Sequence, residues 1–188
     1  MNLQGERLIP TGLDATWAAL NDPEVLKACI TGCESLERTA DDAFAALLAV
    51  KVGPVSARFK GNLKLSNVVP PTSYTIHFDG QGGVAGFGKG SADVTLAPEG
   101  EGTRLKYQAH AQVGGKLAQV GSRLVDAAAA KVAEDFFSAF EARLAPPVPA
   151  AVESGQVPLP ADMPKGNRAL WWGIAALVLV LLWWWLRR

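Results

Sequence analysis

The side chains able to do chemistry are few in this 188-residue chain, and their spacing argues against a reaction centre. His77 and His110 are the only histidines. Each sits between apolar neighbours, Ile76 and Phe78 for one, Ala109 and Ala111 for the other, so strand parity puts both rings on a polar face away from a core. Cys29 and Cys33 supply too few ligands for a structural zinc site, and Gly32 is expected to end a helix between them; they read as two reduced thiols. Asp41-Asp42 reads as a turn and Glu134-Asp135 as a solvated helix face. No serine or cysteine has an evident histidine and acid to go with it. Gly80-Gln-Gly82-Gly83-Val84-Ala85 matches a permissive dinucleotide pattern, but pyrophosphate binding needs a helix N-terminus directly after such a loop. Gly88, Gly90 and then a strand follow instead. These glycines are expected to allow bulges, sharp curvature and close backbone approach.

The elements around these residues follow from periodicity. Residues 2–10 read as a first strand. A short helix over Asp14 to Leu20, capped by Thr11 or Asp14, comes next, then a second with Asp22 as cap and Pro23 at its first position. From Glu34 the period becomes two. Phe44, Ala46, Leu48, Val50 and Val52 alternate on one strand, and Ala57, Phe59, Leu63 and Leu65 alternate against Arg58, Lys60, Asn62 and Lys64. Tyr74, Ile76 and Phe78, then Ala92, Val94 and Leu96, then Leu105, Tyr107, Ala109, Ala111 and Val113 set further strands, and short turns between them favour an antiparallel meander. Residues 115–144 read as one long amphipathic helix, with Leu117, Val120, Leu124, Ala128, Val132, Phe136, Phe140 and Leu144 on one face. Gly114-Gly115 is a weak entry, and Pro146-Pro147 cannot continue the helix.

One apolar sheet face needs one cover, and this helix is available for it. The expected class is therefore α+β in a helix-grip arrangement. A curved antiparallel sheet of about six to seven strands surrounds a long C-terminal helix, with two short helices after the first strand. The inward positions mix large groups with many small ones: Ala57, Gly61, Gly88, Gly90, Ala92, Ala109 and Ala111 in the sheet, Gly121 and Ala127 to Ala130 in the helix. Small residues either let helix and sheet pack closely or leave an apolar cavity for a ligand. The candidate lining is Phe59, Leu63, Phe78, Val94, Tyr107 and Ala109 from the sheet, with Leu117, Val120, Gly121, Leu124 and Phe136 from the helix. A buried Tyr107 hydroxyl would need a partner, and a ligand carbonyl could be that partner.

The last part of the chain is of another kind. Residues 145–168 are rich in Pro, Ala and Gly without periodicity and read as a linker between a folded domain over 1–144 and a C-terminal segment. Residues 169–186 are 18 uncharged positions, about 27 Å as a helix. Trp171-Trp172 and Trp183-Trp184-Trp185 flank their aliphatic middle, as interfacial aromatic belts do, so this is expected to be a single-pass transmembrane anchor. Formal charge is balanced, with 18 basic and 18 acidic side chains, and no basic stripe points to nucleic acid. Met1 to Arg7 lacks the apolar core of a signal peptide, so the folded part is expected in the cytoplasm, moored to the inner membrane.

Several separated motifs keep one order: Asn21-Asp-Pro-Glu-Val-Leu-Lys-Ala-Cys-Ile-Thr-Gly-Cys33, Lys51-Val-Gly-Pro-Val-Ser-Ala-Arg-Phe-Lys-Gly61, Gly86-Phe-Gly-Lys-Gly90, Gly102-Thr-Arg-Leu-Lys-Tyr107, residues 114–124 and Phe136-Phe137. Over residues 1–144 the chain resembles the carbon monoxide dehydrogenase G-subunit family, within the START-like helix-grip superfamily. Thr31 departs from the proline usual in that family before Gly32-Cys33. The resemblance implies a non-catalytic accessory of molybdenum hydroxylases of carbon monoxide dehydrogenase type. It further implies recruitment of that enzyme to the cytoplasmic membrane and binding of a lipophilic molecule such as a respiratory quinone. Two other readings compete: a recruitment or assembly factor with a closed core, and a helix-grip enzyme, against which the lack of an inward titratable cluster counts.

Overall fold

The computed structural model describes residues 1–145. The alternating segments become seven strands: β1 (Asn2–Ile9), β2 (Cys33–Ala40), β3 (Ala43–Val52), β4 (Val55–Val69), β5 (Ser73–Gln81), β6 (Phe87–Glu99) and β7 (Gly102–Gly114). They form one open antiparallel sheet in the order β1-β7-β6-β5-β4-β3-β2. Strands β2 to β7 are a meander, as short turns between alternating segments require. β1 completes the order by pairing with β7, Asn2 opposite His110 through Ile9 opposite Thr103.

Two short helices, α1 (Leu13–Leu20) and α2 (Pro23–Cys29), carry the chain from β1 on one edge of the sheet to β2 on the other. Asp22 caps α2 as its position predicts, accepting from the Glu24 amide at 2.9 Å, with Pro23 in the first turn. The expected side-chain cap of α1 is absent: Gly12 is its N-cap, and no side chain accepts there. Thr11 contributes through its backbone instead. Its carbonyl accepts from the buried hydroxyls of Thr16 and Thr103, tying α1 to β7.

The expected single helix over residues 115–144 is broken. Helix α3 spans only Lys116–Gln119, and α4 spans Ser122–Leu144. Between them Gly121 has φ +95°, a conformation no helix can pass through and one that side chains other than glycine rarely adopt. α4 ends at Leu144, and Ala145 is extended, as a residue before proline prefers. The inward face is also rotated from the expected one. Val125, Phe137 and Phe140 are the buried side chains of α4, while Leu124 and Val132 are each 50% exposed. The break at Gly121 resets the helical phase, so a count carried through from Leu117 places the stripe too far round.

The principal core lies at one end of this assembly. Phe140, Ile9 and Leu105 are almost fully buried, with Leu20, Tyr74, Val94, Leu96 and Phe137 around them. Phe136 stacks on Phe140 at 5.6 Å between ring centroids, and Trp17 meets Tyr74 edge-on at 5.4 Å. Bulges do occur, but in β2 and near Ser66, not at the glycines of β4 to β6, where the pairing register runs on unbroken. Close approach explains Gly90, where a Cβ would overlap the His110 carbonyl and the Phe78 ring, but not Gly80 or Gly88, where a Cβ would make only ordinary contacts at 3.8 and 3.9 Å.

Candidate ligand-binding interior

The inner face of the sheet can be read as rows running across the strands. Near the principal core the row is Tyr74-Val94-Tyr107-Gly5, and beyond it Leu96-Leu105-Arg7. The middle rows are much smaller. One is Leu65-Ile76-Ala92-Ala109-Leu3, the next Phe44-Leu63-Phe78-Gly90-Ala111, and the third Ala46-Gly61-Gly80-Gly88-Val113. Three adjacent strands therefore offer no side chain at all in that third row. At the far end, Phe59 and Val52 are buried against Leu117 and Ala85.

Helix α4 meets this surface unevenly. Its main chain comes closest to β1 and β3, towards the two sides of the sheet, and to α2. Of its run Ala127 to Ala130, Ala128 and Ala129 are half-buried and the outer two exposed, so the helix is small where it is covered. In the middle rows Phe44, Ala46 and Ala111 are buried, but Leu63, Ile76, Phe78, Ala92 and Ala109 are only half-buried although they lie on the inner face. An apolar inner face with incompletely buried residues between two packed ends has the outline of a shallow trough.

The eleven candidate lining residues do not gather in one place. Val94 is buried in the principal core, and Tyr107 and Phe136 pack against it. Phe59 and Leu117 are buried at the far end with Val120 beside them, and Leu63 packs against a third cluster of Leu36, Phe44 and Ala46. Phe78 and Ala109 lie between, in the middle rows. Gly121 is exposed at the helix break, where an added Cβ would meet nothing within 4 Å. Leu124 sits over the β3–β4 turn, 3.7 Å from where a Cβ on Gly53 would lie.

Two polar groups face inward beside the trough. The Tyr107 ring stacks on Phe137 at 5.1 Å, and its hydroxyl occupies the space left by Gly5, where a Cβ would come within 2.7 Å of it. Arg7 is an addition to the expected lining. It points inward from β1, lies 5.7 Å from the Phe137 ring centre and pairs with Glu134 of α4. The alternation Leu3, Gly5, Arg7, Ile9 against Gln4, Glu6 and Leu8 carries that signal, since Ile9 is the buried end of the strand. An inward arginine on an edge strand also blocks pairing with another chain.

The remaining candidates for chemistry are quiet. His77 bonds Ser66 at 2.9 Å and His110 bonds Asn2 at 2.8 Å, both exposed on the outer face. Cys29 is buried at the end of α2 and Cys33 opens β2; burial pushes both thiols up, away from thiolate reactivity. Residues Gly83–Ala85 form a single 3-10 turn before a strand, not the helix a dinucleotide loop needs. The outer face carries two shallow open grooves, of about 450 Å³ beside Asp93 and Lys106 and about 520 Å³ beside His77 and His110. Among the described residues no group of three His, Cys, Asp or Glu could hold a metal ion. No helix among them is long and apolar enough to cross a membrane; the expected anchor over 169–186 lies outside the described residues, as does the expected linker beyond Ala145.

Comparison with solved structures finds the same architecture. A conserved protein from Geobacillus kaustophilus is 31% identical with a TM-score of 0.72, over 77% of this chain and 95% of that one. A START superfamily protein from Mycobacterium smegmatis shares the fold at 15% identity and a TM-score of 0.59, over 76% of this chain and 96% of that one. So does a protein from Thermus thermophilus, at 20% identity and 0.57, over 77% and 97%. Comparison with curated proteins returns no match. The model of one family, described as the G subunit of carbon monoxide dehydrogenase (CoxG), matches residues 5–145, which include α4 and nearly all of the seven strands. With the ordered motifs and the trough lying inside that match, the chain belongs to the carbon monoxide dehydrogenase G-subunit (CoxG) family.

Proposed function

We propose that this protein is a membrane-anchored, non-catalytic accessory that holds a lipophilic molecule of quinone type between the sheet and α4. In this reading it also recruits a molybdenum hydroxylase of carbon monoxide dehydrogenase type to the membrane. The observation that carries the ligand is the half-covered, small-residue middle of the inner face, with apolar walls and two polar groups at its border. A quinone suits it: a flat apolar body would lie over the Ala92-Ala109 row beside Tyr107, and a carbonyl could accept from the Tyr107 hydroxyl or the Arg7 guanidinium. The partner and the membrane location rest on family membership and on the apolar, tryptophan-flanked residues 169–186.

No pair of inward groups among the described residues is arranged to move a proton or attack a substrate. Arg7 is permanently cationic, and its neighbour Glu134 is on the rim, which supports a reading of the interior as a place for binding and orientation. The test is to release the full chain from membranes in polymer-bounded lipid discs and extract it after exchange into quinone-free discs. A quinone that co-purifies with the wild type, and falls at least several-fold in Tyr107→Phe/Arg7→Gln, is the expected result. A wild-type chain that carries none and takes none up would overturn the ligand reading.

A further inference from the structure

One end of the molecule is built to rest on a charged lipid surface. Three segments meet there: the β3–β4 turn (Val52 to Val55), the 3-10 turn Gly83–Ala85, and α3 with the start of α4. Val52, Ala85 and Leu117 share one buried cluster, with Val55 and Val120 packed on it. Apolar groups extend outward from it. Val84 is 86% exposed and Leu124 50%. These exposed hydrophobics stand at one end of the sheet, Leu124 over the β3–β4 turn and Val84 in the 3-10 turn beside buried Ala85.

The charges of that end have one sign. Its segments fall within stretches that contain no Asp or Glu at all, residues 43–78, 80–92 and 102–125. Lys51, Lys116 and Arg123 are exposed beside Val52, Leu117 and Leu124, and among the described residues none of the three makes an ion pair. Arg58 is paired with Glu34, and the next acids along the chain are Asp79 and Asp126. The N-terminus of the 23-residue α4 adds its partial positive charge at the same place. At the opposite end the unpaired charges among the described residues include Asp14, Asp22 and Glu24 in and before the short helices and Glu101 at the β6–β7 turn, while Glu99 there is neutralised by Arg104. Such a separation orients a body whose overall charge is near neutral.

We infer that the Val84–Leu124 end docks on the anionic surface of the bilayer, with its apolar groups at the headgroup boundary and Lys51, Lys116 and Arg123 over lipid phosphates. This rests on the reading of residues 169–186 as the anchor. The chain leaves the body at Leu144, the other end of α4, about 34 Å away along the helix axis. The 24 residues 145–168 reach about 75 Å at full extension, enough for the anchored body to turn its basic end to the membrane.

The experiment uses the full chain in lipid nanodiscs of phosphatidylcholine alone or mixed with phosphatidylglycerol, read by hydrogen exchange at residues 51–55, 82–87 and 116–124. Exchange in these segments should be several-fold slower in the anionic discs. Each cation beside an anionic leaflet strengthens docking about five-fold, so Lys51→Glu/Lys116→Glu/Arg123→Glu should abolish the slowing. Val84→Asp should weaken it. Equal exchange in the two lipids, or slowing that survives the charge reversal, would overturn the inference, as would protection that appears only when a partner enzyme is added. Quinone content of the same samples is measured separately: an empty protein whose basic end is still protected sinks the ligand reading alone.

Discussion

The two ends of α4 obey different rules. From Phe136 to Phe140 the helix is held as in any protein interior: Phe140 is 0% exposed, ring stacks on ring, and Ile9 and Leu105 close the other side. From Ser122 to Val132 the same helix buries Val125 alone, and its other covered positions are the small Ala128 and Ala129. Stability and function are therefore separated along one element. The C-terminal half fixes the helix to the fold, and the N-terminal half leaves room over the sheet.

Truncation at the two ends should show that separation most strongly. Phe140→Ala removes a fully buried ring and should cost about 3–5 kcal/mol, whereas Leu124→Ala should change stability by no more than about 0.5 kcal/mol. Urea unfolding of the full chain measures both, and similar losses at the two positions would mean the helix is packed evenly. Filling the middle is a finer test. Ala109→Leu adds volume to the half-buried row shared with Ala92. In a closed core such overpacking costs about 1–3 kcal/mol. Over a trough it should leave unfolding nearly unchanged and reduce quinone retention, so a large loss of stability would show that the middle is packed shut.

The strands are readable in the sequence because each has one wet face: Ser56, Arg58, Lys60 and Asn62 against Ala57 and Phe59 leave only one parity. The edge-to-edge pairing of β1 with β7 is not, since nothing local in residues 2–9 names a partner a hundred residues away. The helix break is hidden for a different reason. A glycine inside an apolar repeat costs a helix only about 1 kcal/mol, so Gly121 by itself does not argue for a stop; its positive φ goes with how Leu117 is held against Phe59. The two descriptions differ in sign for one substitution. Gly121→Ala would stabilise a continuous helix by about 1 kcal/mol, but with φ at +95° it should destabilise by about 1–2 kcal/mol, which the same urea titration measures. Of the candidate lining, the large sheet residues are found by parity. Arg7 escapes notice because an inward charge looks like a solvent residue until its partner on α4 is known.

The two tyrosines stand on either side of the same contrast. Tyr74 belongs to the packed end, and burial pushes its phenol well above the ordinary value of 10.0; Tyr107 is half-buried at the border of the trough. The unfolded chain loses the Tyr74 proton near the ordinary value, while the folded chain holds it to higher pH. The unfolded state thus binds fewer protons above about pH 10, and stability contributed by the neutral Tyr74 is present below that pH and lost as pH rises beyond it. Tyr107→Phe leaves Tyr74 as the sole tyrosine, so an ultraviolet titration of that variant follows one phenol alone. Its phenolate should appear only together with unfolding. Stability at neutral pH is untouched by this titration, which makes it the smallest of the expected changes and the least disturbing probe. If Tyr74 ionised while the protein was still folded, the end of α4 near Phe140 would be as open to water as the end near Leu124, and the division of the helix into a holding half and an open half would be lost.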